Sequence, residues 1–263
     1  MTLSNVIGPI LNYGDRFVVG AALSVTAVAY YATPSEAVTK LWVLPTGLAG
    51  VLFPAFASSY VVDRARTAQI CSAALRYLLI SLYPVTLLAV AFTPELLALW
   101  LGSHFAAVSG TVMRYLAAGA LTSSLGIVSL ALVQGLGRPE RAALLQAGEL
   151  VVFGPLLLVA VRAGGISAAA VVWAARSTVD LALMTWIGTR EVPELRTILP
   201  RTVPLLAAGL IGLALTAMVN AVQVRLIISG VLLVAFALSA WRLLLEPRER
   251  AAGLRLLLQV GGR

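Results

Sequence analysis

Cysteine is almost absent: Cys71 stands alone in 263 residues. One thiol excludes an internal disulfide and any multi-cysteine metal site. It reads as a small apolar packing residue. Histidine is as scarce. His104 has only Glu95 as an acid nearby in sequence, so neither a metal-binding set nor a Ser/His/Asp arrangement can be assembled. Charged residues make up 11% of the chain, against about 25% in a soluble domain. No Gly-rich phosphate loop is visible, since GLGRPE at 135–140 lacks the Lys-Ser/Thr of a nucleotide cradle. No basic stretch precedes the first apolar segment, so a signal peptide is not expected. These shortages leave enzyme chemistry little footing, and no cofactor or metal is expected.

What the chain has instead is apolar length. Hydrophobic residues make up 60% of it, and mean hydropathy is +0.96. The apolar runs are continuous and do not alternate. In a bilayer, spanning segments must be helices or a closed barrel, and long continuous runs argue for helices. The fold class expected is an all-α polytopic membrane bundle of about eight spans, at 2–23, 36–57, 69–92, 108–136, 142–161, 166–188, 202–219 and 226–245. Short loops separate them, including SVTAVAYYATPS, SSYVVDRARTA, GRPER and RAGG. A further loop, with Leu96, Leu97, Leu99 and Trp100, suits a short interfacial helix.

The net charge of +8 does not call for nucleic acid. Its arginines fall where the positive-inside rule puts them. The loops after the second, fourth and sixth spans and the C-terminal tail hold Arg64, Arg66, Arg138, Arg141, Arg190, Arg196, Arg201, Arg248, Arg250, Arg255 and Arg263. The alternate loops hold Arg162 and Arg225. This bias places both termini in the cytoplasm. The tail also spaces Leu254, Leu256, Leu257 and Leu258 among its arginines, a pattern for a surface helix on anionic lipid or a solvated end.

Charges also lie inside the apolar runs, at a cost of about 2.5–3.5 kcal/mol each on insertion scales. Asp15 and Arg16 sit side by side in the first span. Glu36 and Lys40 occupy the outer turns of the second, Arg114 the outer third of the fourth, Glu149 the fifth, and Arg176 and Asp180 the middle of the sixth. Arg16, Lys40, Arg114 and Arg176 thus form a candidate basic patch for a phosphate or pyrophosphate, with arginine forks and a mobile ammonium as donors. Asp15, Glu36, Glu149 and Asp180 are candidate structural or coupling carboxylates. The i,i+4 spacing of Glu36–Lys40 and Arg176–Asp180 also allows each pair to close on one helix face. Asp15 and Arg16, about 100° apart on a helix, are expected to meet different neighbours. The last two spans carry almost no charge and look like peripheral additions. The organisation expected is therefore a six-span unit over 1–190, two peripheral spans over 191–245, and a basic tail over 246–263.

Particular residues then resemble a family. Asp15-Arg16-Phe17, Tyr30-Tyr31 before Pro34, Leu44-Pro45 and Leu52-Phe53-Pro54 are similar to the segment that opens the second half of Wzx-like polysaccharide flippases. Gln134-Gly135-Leu136-Gly137-Arg138-Pro139 resembles that family's cytoplasmic turn after its tenth helix. The resemblance covers the first six spans and, more weakly, the last two. It implies one six-helix lobe of a multidrug-exporter-like flippase that moves undecaprenyl-pyrophosphate-linked oligosaccharide across the bacterial inner membrane. By position, Arg16, Lys40, Arg114 and Arg176 would be that lobe's contribution to pyrophosphate binding. The family's first lobe has no counterpart here, so a separate first lobe or a second copy of this chain is an expected partner, besides the lipid-linked substrate and the bilayer. The alternatives are a cation-coupled multidrug exporter of the same superfamily and a membrane-embedded polysaccharide polymerase or scaffold. The excess of intramembrane bases over acids favours an anionic substrate.

Overall fold

The computed structural model of the chain describes residues 2–219 and 221–244. Ten α-helices make up the described residues: α1 (Thr2–Ala22), α2 (Val25–Thr39), α3 (Val43–Val62), α4 (Arg64–Ala91), α5 (Thr93–Leu101), α6 (Ser103–Gly135), α7 (Pro139–Glu191), α8 (Leu195–Ile198), α9 (Thr202–Met218) and α10 (Val222–Leu243). No strand occurs among them. The protein is a polytopic membrane helix bundle. The expected surface helix of the tail lies outside the described residues.

Five stretches are long and apolar enough to cross a bilayer: Val25–Val62, Arg64–Ala91, Ser103–Gly135, Pro139–Glu191 and Val222–Leu243. The difference from the eight expected spans has clear sources. The 53 residues of α7 fold back on themselves at Gly165, where φ is 64° and ψ is −150°. Only glycine holds that backbone conformation cheaply. The two arms, 139–164 and 166–191, cover the expected spans at 142–161 and 166–188. Charge-bearing α1 and the 17-residue α9 fall outside the five.

The loop expected at 24–35 is a helix. Ser24 caps it, its hydroxyl accepting from the Ala27 N–H at 3.0 Å, and a satisfied first turn of this kind contributes about 1 kcal/mol. Pro34 is accommodated within the helix. A single 3₁₀ turn, Lys40–Trp42, then joins α2 to α3. Asp63 is the whole turn between α3 and α4; it caps α4 by accepting from the Arg66 N–H at 3.1 Å. A short helix, α5, does form near Trp100, with Leu99 and Trp100 exposed and Leu97 buried.

The long helix α6 lies at the centre, packed by α2, α3, α4, α5 and α7. Small residues let α7 approach it. A Cβ on Gly119 would stand 2.6 Å from the Trp173 ring and 2.8 Å from the Ala174 Cα. On α3, by contrast, Gly47 and Gly50 face open space. α1 and α2 form an antiparallel hairpin that leans on α7 and α6.

The second pair of apolar helices, α9 and α10, is fastened to the bundle more firmly than a charge-free sequence suggests. Gly209 and Gly212 press on Tyr83 of α4. Tyr83 also stacks on Phe236 of α10, with centroids 4.2 Å apart. Replacing Gly165 with alanine should destabilise the chain by about 1–3 kcal/mol through backbone strain. Gly154→Ala, in open space within regular helix, should be neutral or slightly stabilising. Thermal unfolding of the two variants in detergent compares them directly.

Candidate functional site

The α1–α2 hairpin separates its two adjacent charges. Asp15 points inward, 5% exposed, and accepts a hydrogen bond from the hydroxyl of fully buried Tyr31 and another from the Arg16 N–H at 2.9 Å. Arg16 turns to the other side. Its Nη1 meets Glu36 Oε1 at 2.6 Å, its Nη2 donates to Ser35 Oγ at 3.2 Å, and its Cζ lies 5.2 Å from the Tyr13 ring centre. Glu36 is 56% exposed in this pair. It is therefore bonded to Arg16 across the hairpin, and the Glu36–Lys40 alternative is not the pairing adopted. Lys40 stands exposed one helical turn beyond Glu36, beside an apolar hollow of about 530 Å³ between α3 and α4.

The deepest charges meet where α1 packs on the two arms of α7. Arg176, 7% exposed, places Nη1 3.3 Å from Glu149 Oε2 and donates from Nη2 to Asn12 Oδ1 at 2.9 Å. The i,i+4 pairing of Arg176 with Asp180 is thus replaced by a pair between the two arms. Folding at Gly165 makes this possible, because it brings 149 and 176 together. Asp180 stands beside Glu149. Glu149 Oε1 and Gln146 Oε1 are buried with no hydrogen-bond donor among the described residues. Two small cavities flank the Arg176 guanidinium. One, about 120 Å³, carries Asp15 and Arg176 among apolar residues. The other, about 60 Å³, is lined by Asn12, Gln146, Ser177 and Asp180.

Arg114 goes elsewhere. It donates to the Ala217 carbonyl at 2.8 Å, closing the C-terminal end of α9. This is a favourable place for a cation, where carbonyls lack helical partners. Arg225 works beside it. Read as a loop charge, it sits instead in the first turn of α10, 2% exposed, bound to the Ala91 carbonyl and to Glu95. Arg76 donates to the Leu244 carbonyl at 2.7 Å. Three arginines thus hold the α9–α10 pair at both ends.

The four basic residues of the expected patch are therefore divided. Arg16, part-buried on α1, meets exposed Glu36 of α2, and Lys40 stands exposed just past the end of α2; Arg176 is enclosed in the α1–α7 junction, and Arg114 closes α9. Sequence reading missed Asn12, Tyr31 and Gln146 as members of the polar network. Helical spacing held the signal for two of them: Asn12 is three residues before Asp15, and Gln146 three before Glu149.

Comparison with known proteins follows the same lines. Residues 1–110 match the family model described as "Polysaccharide biosynthesis protein". The chain is also 28% identical over 190 residues to "Putative O-antigen transporter" of Shigella flexneri. These matches support the Wzx-like polysaccharide flippase family. The chain is a multi-pass membrane helix bundle similar to a protein described as an O-antigen transporter. The match covers 72% of this chain and 45% of the relative, so the chain spans less than half the length of the protein it resembles. No solved structure matches.

Removing one partner of a buried ion pair leaves an uncompensated charge, at about 3–5 kcal/mol. Arg176→Met should therefore destabilise the bundle by that amount. Adding Glu149→Gln should restore a large part of the loss. A double-mutant cycle on thermal unfolding in detergent measures this coupling, and additive effects would contradict the pairing.

Proposed function

We propose that the chain forms one lobe of a flippase that carries undecaprenyl-pyrophosphate-linked oligosaccharide from the inner to the outer leaflet of the bacterial inner membrane. The observation that carries this reading is the charged edge of the α1–α2 hairpin within a chain similar to an O-antigen transporter. Arg16, Glu36 and Lys40 form a strip in which the ends are basic and the middle carboxylate is exposed. An arriving pyrophosphate exchanges Glu36 for a more highly charged partner at Arg16 and gains Lys40 one turn away. Bidentate guanidinium contact fixes the headgroup, and lysine follows it as a mobile charge. Arg176 contributes from behind, holding α1 against α7 through Asn12 and Glu149. Arg114 contributes by holding α9 in place.

An exposed strip of this kind on an apolar bundle needs water or protein opposite it. In this reading a second lobe, from a separate chain or a second copy, faces the hairpin, and the substrate passes between the two. Alternating access around a shared site requires both halves. Both termini lie in the cytoplasm. A fluorescent protein fused after Arg263 should therefore fold and fluoresce, whereas a periplasmic alkaline phosphatase fused there should be inactive; the opposite pair of results would invert the orientation.

Binding tests the site itself. In nanodiscs, a polyprenyl pyrophosphate should bind, and the corresponding polyprenol should not compete. Arg16→Gln and Lys40→Gln should each weaken binding about tenfold or more, the scale of a hydrogen bond to a charged group. In cells that carry the complete transporter, the same changes should lower surface polysaccharide. Undiminished binding by the double variant would remove the strip from the site. Accumulation of cationic dyes, altered by the chain while polysaccharide stays constant, would favour the drug-exporter alternative.

A further inference from the structure

A hollow larger than those around the charged residues lies away from the charged strip. A groove of about 740 Å³ runs between α4, α6, the second arm of α7 and α9. Its walls are apolar, with Leu75, Leu125, Leu181 and Leu206 among them, and Arg196 is the charged residue on its rim. Three features at that rim point to a particular occupant. Trp186, half exposed, lies on the rim with the Arg190 guanidinium stacked 4.1 Å from its ring centre. Tryptophan at a groove mouth suits the headgroup boundary. Arg190 and Arg196 are both exposed and lie at the end of the bundle where basic residues gather. Thr202 lines the groove, is 6% exposed, and its Oγ1 has no hydrogen-bond partner among the described residues. A buried hydroxyl without a partner in an otherwise apolar wall marks where a polar atom of a ligand belongs.

We propose that this groove is a binding site for an anionic phospholipid of the bilayer. Its acyl chains lie along the leucines, its phosphate meets Arg196 and Arg190, and its ester region meets the Thr202 hydroxyl. The apolar length excludes a free phosphate or nucleotide. The two arginines set the preference for an anionic over a zwitterionic headgroup, as in basic pockets between membrane helices generally. By the proposed orientation the lipid comes from the cytoplasmic leaflet. Because the groove borders α7 and α9, the lipid also fills the seam between the six-span bundle and its last two helices.

The experiment is lipid retention by native mass spectrometry, on the whole chain equilibrated with phosphatidylglycerol, phosphatidylcholine or a polyprenyl phosphate of similar mass. Phosphatidylglycerol should be retained over phosphatidylcholine by about tenfold or more, since each nearby arginine is worth roughly fivefold. Arg196→Gln should bring that ratio down by about fivefold. Ala182→Trp, which fills the groove from a lining position, should abolish retention of both. A second readout needs no charge variant: brominated phosphatidylglycerol should quench the Trp186 component of fluorescence, defined by subtracting Trp186→Phe, more than brominated phosphatidylcholine does. Equal retention and equal quenching by the two phospholipids would overturn the proposal. So would retention of polyprenyl phosphate in preference to phosphatidylglycerol, which would make the groove a berth for the transported lipid.

Discussion

A guanidinium in an apolar bundle is tolerable only against a partner, and the Arg176–Glu149 pair is the contact on which this fold turns. It joins the two arms of α7, which the sequence separates by the Gly165 reversal. Through Asn12 it also ties α1 to both arms. Without that tie the α1–α2 hairpin would rest on the bundle through apolar contact and the bond from the Ser109 hydroxyl to the Tyr30 carbonyl. A lost partner costs more here than the pair contributes, because the charge left behind has no water to turn to. The pair therefore specifies the arrangement more than it adds stability.

Other arginines follow the same logic with different partners. Arg76, Arg114 and Arg225 end on backbone carbonyls, and Arg225 adds Glu95. All three carbonyls lie at helix C-terminal ends, where orphan acceptors and the negative end of the helix dipole await a cation. Such contacts hold α9 and α10 at their ends while Tyr83 and Phe236 pack between. What remains open is Arg16, held by an exposed glutamate, and Lys40. A site for an anion needs this kind of residue: charged, ordered by a neighbour, and able to exchange that neighbour for a ligand.

Much of the fold was legible because bilayer length and apolar continuity constrain helices so strongly. The positions of α4, α6, α9, α10 and the two arms of α7 follow from the apolar runs. The hairpin helix α2 did not, because Tyr30-Tyr31-Ala-Thr-Pro-Ser looks like a turn while the Ser24 cap and the flanking packing make it helical. The charged residues were identifiable one by one, since charge in a greasy segment is conspicuous. Their partners were not. Arg176 had an i,i+4 carboxylate within its own helix, yet it bonds Glu149, 27 positions away, because the fold at Gly165 offers a better buried geometry. Arg114 looked free from its local sequence, and only the return of α9 supplies the Ala217 carbonyl. Tertiary partners of this kind leave no mark on local spacing.

The account's central claim is that intramembrane charge is enclosed at Arg176 and open to an aqueous anion at Arg16 and Lys40. Site-directed thiol labelling tests it most directly, and the single native cysteine, buried Cys71, makes a clean background once changed to alanine. A membrane-impermeant anionic thiol reagent should modify Lys40→Cys rapidly, and a polyprenyl pyrophosphate should protect it. Ser177→Cys, next to Arg176 and 1% exposed, should stay unmodified. Rapid labelling at 177, with no labelling or no protection at 40, would contradict the account.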